Sequence, residues 1–164
     1  MKFRPLNNLE REVIRKAGKD YGLNVDTALK GKKLIISSGR KEVFATNKLT
    51  VKIIEKMNKE PYCAGLFIGE IRKNRFELSL EGAYLFAPFA NKKIIIDDKA
   101  EQLVLYGRDV FSNSIVSSPK LKEGERCIIL NKFGDALAIG EVKGGTQVSI
   151  RNIKDRGWYL RRGR

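Results

Sequence analysis

Arg108 and a group of cations near the end of the chain, Lys143, Arg151, Lys154, Arg156 and Arg161, are the residues whose types offer chemistry. Guanidinium and ammonium groups hold phosphate oxygens, and the planar guanidinium also stacks on bases. Arg162 and Arg164 follow them, and Asp155 is the only acid after Lys143. Arg162 and Arg164 read as a solvated tail, whereas Arg151, Lys154 and Arg156 read as phosphate contacts. Gly107, just before Arg108, has two readings. It stops a helix, or its missing side chain lets a nucleic-acid backbone come close. Asp109 reads as a local turn or cap acceptor.

Acid–base and covalent chemistry find no such support. The chain has no histidine, so it has no imidazole base or ligand. Cys63 and Cys127 stand far apart and form no Cys-x-x-Cys pair. No Gly-x-Ser-x-Gly elbow or phosphate-binding loop occurs, and Gly144-Gly145 opens no helix pattern. Asp97 and Asp98 are adjacent, which suits helix capping better than a paired acid and base. The expectation is a binding protein, not an enzyme, without metal or cofactor.

The charge balance points the same way. The 33 Lys and Arg outnumber 19 Asp and Glu, for a net +14. Residues 1–90 carry 18 basic and 10 acidic side chains, and 91–164 carry 15 and 9, so no single tail holds the excess. An anionic partner is implied, nucleic acid first and an anionic membrane second. No apolar run approaches the about 18 residues of a membrane span, and the first residues have no signal-like apolar core. A soluble, intracellular monomer is expected. Both cysteines lie in apolar runs and are expected to be reduced core thiols, with a disulfide between them the alternative that sequence leaves open.

The elements that must position these residues follow from periodicity. Asn7 and Glu10 have capping-box spacing, and Leu9, Val13, Ile14 and Ala17 form a helical stripe behind them. Residues 33–37 and 42–46 read as a hairpin around Ser38-Gly39-Arg40. Leu49, Ile53, Ile54 and Met57 predict a second amphipathic helix capped by Asn47 and stopped by Pro61. Residues 62–72 read as a central strand, Lys73-Asn74 as a turn, and 76–80 as a half-buried strand. A short helix ends near Pro88. A strand at 94–96 leads into a helix with Ala100, Leu103 and Val104 inward and Gly107 as its stop. Strands are predicted at 126–131, 136–142, 146–150 and 157–161, a spacing that suggests a small barrel. Trp158 and Tyr159 alternate on the last strand, so at most one would face out. Lysines 30, 32 and 33, Arg40-Lys41 and 72–75 read as solvated faces.

Two series of residues carry a resemblance. Gly107-Arg108-Asp109-Val110, Gly124-Glu125 with Ile128, Ala138-Ile139-Gly140-Glu141-Val142 and the closing 155–161 segment resemble the PUA domain, an RNA-binding pseudo-barrel. Phe3-Arg4-Pro5-Leu6, Gly65-Leu66-Phe67-Ile68-Gly69-Glu70, Arg75-Phe76-Glu77-Leu78, Tyr84-Leu85-Phe86-Ala87-Pro88-Phe89-Ala90 and Ala100-Glu101-Gln102 with Leu105-Tyr106-Gly107 extend it. Together they look like the Nip-seven family of ribosome-biogenesis factors.

The resemblance implies an α+β chain: an N-terminal α/β (pre-PUA) domain, 1–90, with an antiparallel sheet and flanking helices, then a PUA-like β pseudo-barrel, 91–164. It implies non-catalytic RNA binding in pre-rRNA processing and large-subunit assembly, beside other ribosome-assembly proteins. The abundant Lys, Ile and Glu and the compact length point to an archaeal cytoplasm; in a eukaryote the family would imply nucleus and nucleolus. Two other roles stay open: an RNA-delivery subunit of an RNA-modifying enzyme, and a protein-interaction scaffold. For RNA the candidate residues are Gly107, Arg108, Lys143, Arg151, Lys154, Arg156 and Arg161.

Overall fold

The computed structural model describes residues 2–144 and 148–162. The chain divides into two units, Met1–Lys19 with Asn24–Leu85, and Asp20–Leu23 with Phe86–Arg164. The second unit therefore takes a short piece of early chain. Lys92 N donates to the Tyr21 carbonyl (3.1 Å) and Asn91 N to the Gly22 carbonyl (3.2 Å), which adds that piece to its backbone network.

The first unit is built on an antiparallel sheet of β1 (Phe3–Pro5), β2 (Lys33–Ser37), β3 (Glu42–Thr46), β4 (Leu66–Arg72) and β5 (Arg75–Leu78), in that order. The helices are α1 (Asn8–Asp20), α2 (Val25–Ala28), α3 (Lys48–Lys56) and α4 (Leu80–Phe86). The capping box of α1 forms as its sequence predicts. Glu10 N donates to Asn7 Oδ1 at 2.8 Å, and Asn7 N donates back to Glu10 Oε2 at 3.0 Å. Lys73 and Asn74 both take positive φ, 46° and 59°, which is the primed turn that a two-residue hairpin needs.

Two predicted apolar stripes are rotated. In α1 the buried residues are Glu10, Ile14, Ala17 and Gly18, while Leu9 is 77% exposed. Glu10 can point inward because Arg4 neutralises it, so a charged position takes the place that hydropathy gives to Leu9. In α3, Val51 and Ile54 pack against Ile35, Phe44 and Ala64, whereas Leu49, Ile53 and Met57 face solvent. A helix about 2.5 turns long touches a sheet along one narrow seam, so a broad apolar arc cannot all be covered.

The second unit is a six-stranded sheet in the order β7-β11-β10-β9-β6-β8. Its strands are β6 (Lys93–Ile96), β7 (Val110–Phe111), β8 (Ile115–Ser117), β9 (Arg126–Leu130), β10 (Ala136–Val142) and β11 (Val148–Asp155). The terminal strands of this order, β7 and β8, are joined by a single 3-10 turn, Ser112–Ser114. Its two edges are thereby brought near each other, and the sheet is nearly closed into a pseudo-barrel. Helix α5 (Asp98–Leu105) plugs the barrel with Ala100 and Val104, packed among Ile94, Ile96, Val110, Cys127, Ile129, Leu137, Ala138 and Ile150. Burying Val104 alone is worth about 1.5–3 kcal/mol. Leu103 is 38% exposed, so the inward face of α5 is narrower than its sequence suggests.

The strand expected at 157–161 is instead helix α6 (Gly157–Arg162). The ladder runs out: Asp155 pairs with Ala138, Arg156 N still reaches the Leu137 carbonyl, and β10 begins one residue earlier, at Ala136. Without a partner strand, the chain satisfies its backbone groups internally as a helix. On that helix Trp158 and Tyr159 are both partly exposed, with rings edge to face at 5.4 Å, so the alternation expected of a strand does not apply. The strand expected to begin at Thr146 starts among residues outside those described. Cys127 is fully buried, but Cys63 lies exposed before β4, because its apolar neighbours form a loop. Among the described residues no helix is long and apolar enough to cross a membrane.

Candidate nucleic-acid interface

The C-terminal end of α5 forms a fixed corner. Asp97 caps the other end, its Oδ1 accepting from Ala100 N at 2.7 Å. At the corner Gly107 sits at φ 83°. Gly107 N donates to the Val104 carbonyl (2.8 Å) and Arg108 N to the Leu103 carbonyl (3.0 Å), the two bonds of a Schellman stop. Asn152 of β11 locks Arg108 and Asp109 in place. Its N donates to Asp109 Oδ1 at 2.8 Å, and its Nδ2 donates to the carbonyls of Val104 (3.0 Å) and Arg108 (3.3 Å). Asp109 is thus an acceptor, but for a strand residue 43 positions away and not for a local turn or cap.

This rigid corner presents two exposed side chains. Tyr106 is 74% exposed, and Arg108 is exposed with no side-chain hydrogen bond or ion pair to a described residue. A ring and a guanidinium on a fixed backbone can stack on a base and hold a phosphate. Sequence reasoning does not single out Tyr106. A signal for it exists, since Ala100 and Val104 turned inward leave position 106 on the open side of the helix.

Beneath the corner lies Arg161. Its Nη1 and Nη2 donate to Asp155 Oδ1 and Oδ2 at 3.0 and 2.9 Å, and Nη1 also donates to the Leu105 carbonyl. A Cβ on Gly107 would come within 3.1 Å of Arg161 Nη2. The open space at Gly107 is therefore lined by the chain's own guanidinium. Gly157 brings α6 so close to the Leu105 carbonyl that any side chain there would collide with it. Arg161 closes the fold here, which a strand would have prevented by carrying it about 20 Å from Asp155.

A second group of cations lies on the outer face of the barrel. In the ladder Glu141 stands opposite Arg126 on one side and Arg151 on the other. Its carboxylate receives Lys143 Nζ at 2.8 Å, Arg151 Nη2 at 3.1 Å and Arg126 Nη2 at 3.5 Å. The hydrogen bond from Lys143, against some desolvation and with help from the charges of Arg151 and Arg126, holds the Glu141 carboxyl below the usual range. Three cations around one acid leave a net positive, pre-oriented cluster. Arg126 is the member that the sequence does not reveal, because it lies far from the others in the chain.

Lys154 lies opposite Ile139 on the same strand as Arg151 and is partly buried, and Arg156 is exposed in the turn to α6. The structure thus brings Lys143 and Arg151 together, places Arg108 at the α5 corner, and ties Arg161 to Asp155. Asn152, whose Nδ2 binds the Arg108 carbonyl, follows Arg151 in β11, where successive side chains turn to opposite faces of the sheet. The side chain of Arg162, and all of Arg164, lie outside the described residues. Among the described residues no group of His, Cys, Asp and Glu is arranged to hold a metal ion.

Comparison with known proteins matches both halves. Residues 92–164 fit the family model described as the UPF0113 PUA domain, and residues 3–80 fit the NIP7/UPF0113 pre-PUA domain. A UPF0113 protein of Archaeoglobus fulgidus is 33% identical, with 98% of this chain and 95% of that protein covered. Another from Aeropyrum pernix is 28% identical over 99% and 93%. Among solved structures, a PUA domain protein from Thermoplasma acidophilum is similar at TM-score 0.64 and 17% identity, covering 99% of both chains. A hypothetical protein of Pyrococcus horikoshii is similar at TM-score 0.59 and 16% identity, covering 97% and 99%. These two establish likeness of fold, in accord with the nearly closed barrel. By sequence along nearly its whole length, the chain belongs to the UPF0113 family, in which a pre-PUA domain precedes a PUA domain.

Proposed function

We propose that this protein binds RNA through the Tyr106–Gly107–Arg108 corner, with the Arg126–Lys143–Arg151 cluster as a second cationic contact. Its role in the cell is to support pre-rRNA processing and large ribosomal subunit assembly, without catalysing a reaction. The observation that carries the reading is the corner itself. An exposed aromatic ring and an exposed guanidinium with no ion pair to a described residue stand on a backbone fixed by the Schellman stop and Asn152, in a chain of net charge +14. Phosphate contacts by Arg and Lys fix position, and stacking on Tyr106 adds about 1–3 kcal/mol per base. RNA is favoured over duplex DNA because a single exposed ring needs a base free to leave its stack. The assembly role rests on the resemblance of the quoted residue series to the Nip-seven family.

The test is binding of the full chain to short single-stranded RNA, duplex RNA and matched DNA over a salt series. The expected result is a preference for single-stranded RNA that survives moderate salt. Tyr106→Ala weakens binding about 5- to 100-fold, and Arg108→Ala lowers the salt slope by about one. Arg151→Ala with Lys154→Ala lowers it further. Equal binding to all three that disappears with salt would reduce the interaction to net charge. Depleting the protein from its source cells tests the assembly role separately, with accumulated large-subunit precursor rRNA as the expected result.

A further inference from the structure

We infer that the outward face of α3 is a docking site for a protein segment: an acidic amphipathic helix with an apolar seam. Leu49, Ile53 and Met57, spaced by four, are 66%, 51% and 44% exposed. They form one ridge along the helix. Val51 and Ile54, on the opposite side, already hold α3 to the sheet, so the ridge is not needed for the fold. The helix is fixed at both ends. Asn47 Oδ1 accepts from Thr50 N at 2.8 Å, and Met57 N donates to the Ile54 carbonyl. The ridge is thus preorganised, which lowers the entropic cost of binding.

Beside it runs a second stripe with the same period, Lys48, Lys52 and Lys56, all exposed and none in an ion pair with a described residue. Lysine stems extend an apolar surface while their ammonium groups stay at its rim. An aliphatic ridge rimmed on one side by cations is complementary to a helix whose apolar residues recur at i, i+3 and i+4 and whose flanking positions are Glu or Asp. RNA fits less well: its phosphates could meet the lysines, but Leu, Ile and Met give bases no aromatic face. A membrane surface also fits less well, because an interfacial helix needs a wide apolar face, usually with aromatic anchors, and α3 offers a single ridge of three side chains.

A selection tests this. The full chain is immobilised and panned with a displayed library of random peptides about 15 residues long, enough for a four-turn helix, with the Leu49→Ser/Ile53→Ser variant as counter-target. The expected peptides are net negative with helical apolar spacing. Their affinity falls at least about tenfold on Ile53→Ser and again on Lys52→Glu/Lys56→Glu. All substituted positions are exposed, so unchanged thermal melts are expected, and the charge variant keeps the test valid should the apolar variant fold poorly. Failure to enrich face-dependent peptides, or enrichment of neutral or basic ones, overturns the proposal. So does binding to phosphatidylcholine–phosphatidylglycerol vesicles that Leu49→Ser/Ile53→Ser abolishes, which assigns the face to a membrane. A dimer seen by light scattering and lost in that variant assigns it to a second copy and overturns the proposal as well. RNA affinity is expected to be unchanged in Leu49→Ser/Ile53→Ser, which leaves the net charge intact, so this proposal and the RNA reading fail independently.

Discussion

Arg161 and Asp155 clasp each other with two parallel hydrogen bonds, 3.0 and 2.9 Å, although six residues and a change from strand to helix separate them. Asp155 is 4% exposed, so its carboxylate depends on this partner. Arg161→Ala leaves a buried carboxylate without its partner and is expected to lower stability, by less than breaking a fully buried pair because the Arg161 side chain is 37% exposed. Thermal unfolding should drop by several degrees per kcal/mol. Arg161→Lys should recover only part of this, since an ammonium cannot make the forked contact. Unchanged melting in Arg161→Ala would show that the clasp is not structural.

Gly107 gives a second stability prediction. At φ 83° a side chain is strained, and its Cβ would press on the Arg161 guanidinium. Gly107→Ala is expected to cost about 1–2 kcal/mol. Gly107→Asn should cost less in backbone strain, because Asn tolerates the left-handed region. Denaturant midpoints at constant m-value measure both.

Glu10 predicts acid sensitivity of the first unit. Hydrogen bonds from Arg4, against partial desolvation and aided by Asn7 N and Lys41, pull its carboxyl down to about 2. The folded value lies below the unfolded one, near 4.3. The contribution is therefore complete above about pH 4.5 and is lost as pH falls toward about 2. With Arg4 partly exposed, it amounts to about 2 kcal/mol. Glu10→Gln should lower stability at neutral pH and flatten the acid limb of the stability–pH curve. A variant curve parallel to wild type would contradict this.

The two thiols should differ in reactivity. Burial pushes the Cys127 thiol up to about 12, and Cys127 sits in the barrel core, while Cys63 is exposed. Iodoacetamide at neutral pH is expected to alkylate Cys63 alone in the native protein and both thiols after unfolding, read by mass spectrometry. Rapid native alkylation of Cys127 would mean that the barrel opens.

Much of this protein is legible in its sequence because the signals are local. The Asn7–Glu10 box, the Lys73-Asn74 hairpin, the Gly107 helix stop and the Cys127 and Ala136 strands each rest on residues within a few positions of one another. The basic excess and the family resemblance are likewise properties of sequence alone, and they identify the PUA architecture and the region of the candidate site. Tertiary structure decides what depends on distant partners. Leu9 faces out because Arg4 lets Glu10 turn in, and Leu49, Ile53 and Met57 are exposed because the sheet covers only the Val51–Ile54 seam of α3. Residues 157–162 are helical because β10 offers no further ladder, a fact fixed by strand register. That helix returns Arg161 to Asp155 and beneath Gly107, and the register of β9, β10 and β11 sets Arg126 and Arg151 on either side of Glu141. Local propensity reports which residues can bind an anion. Long-range pairing decides which of them the fold uses and which it leaves free.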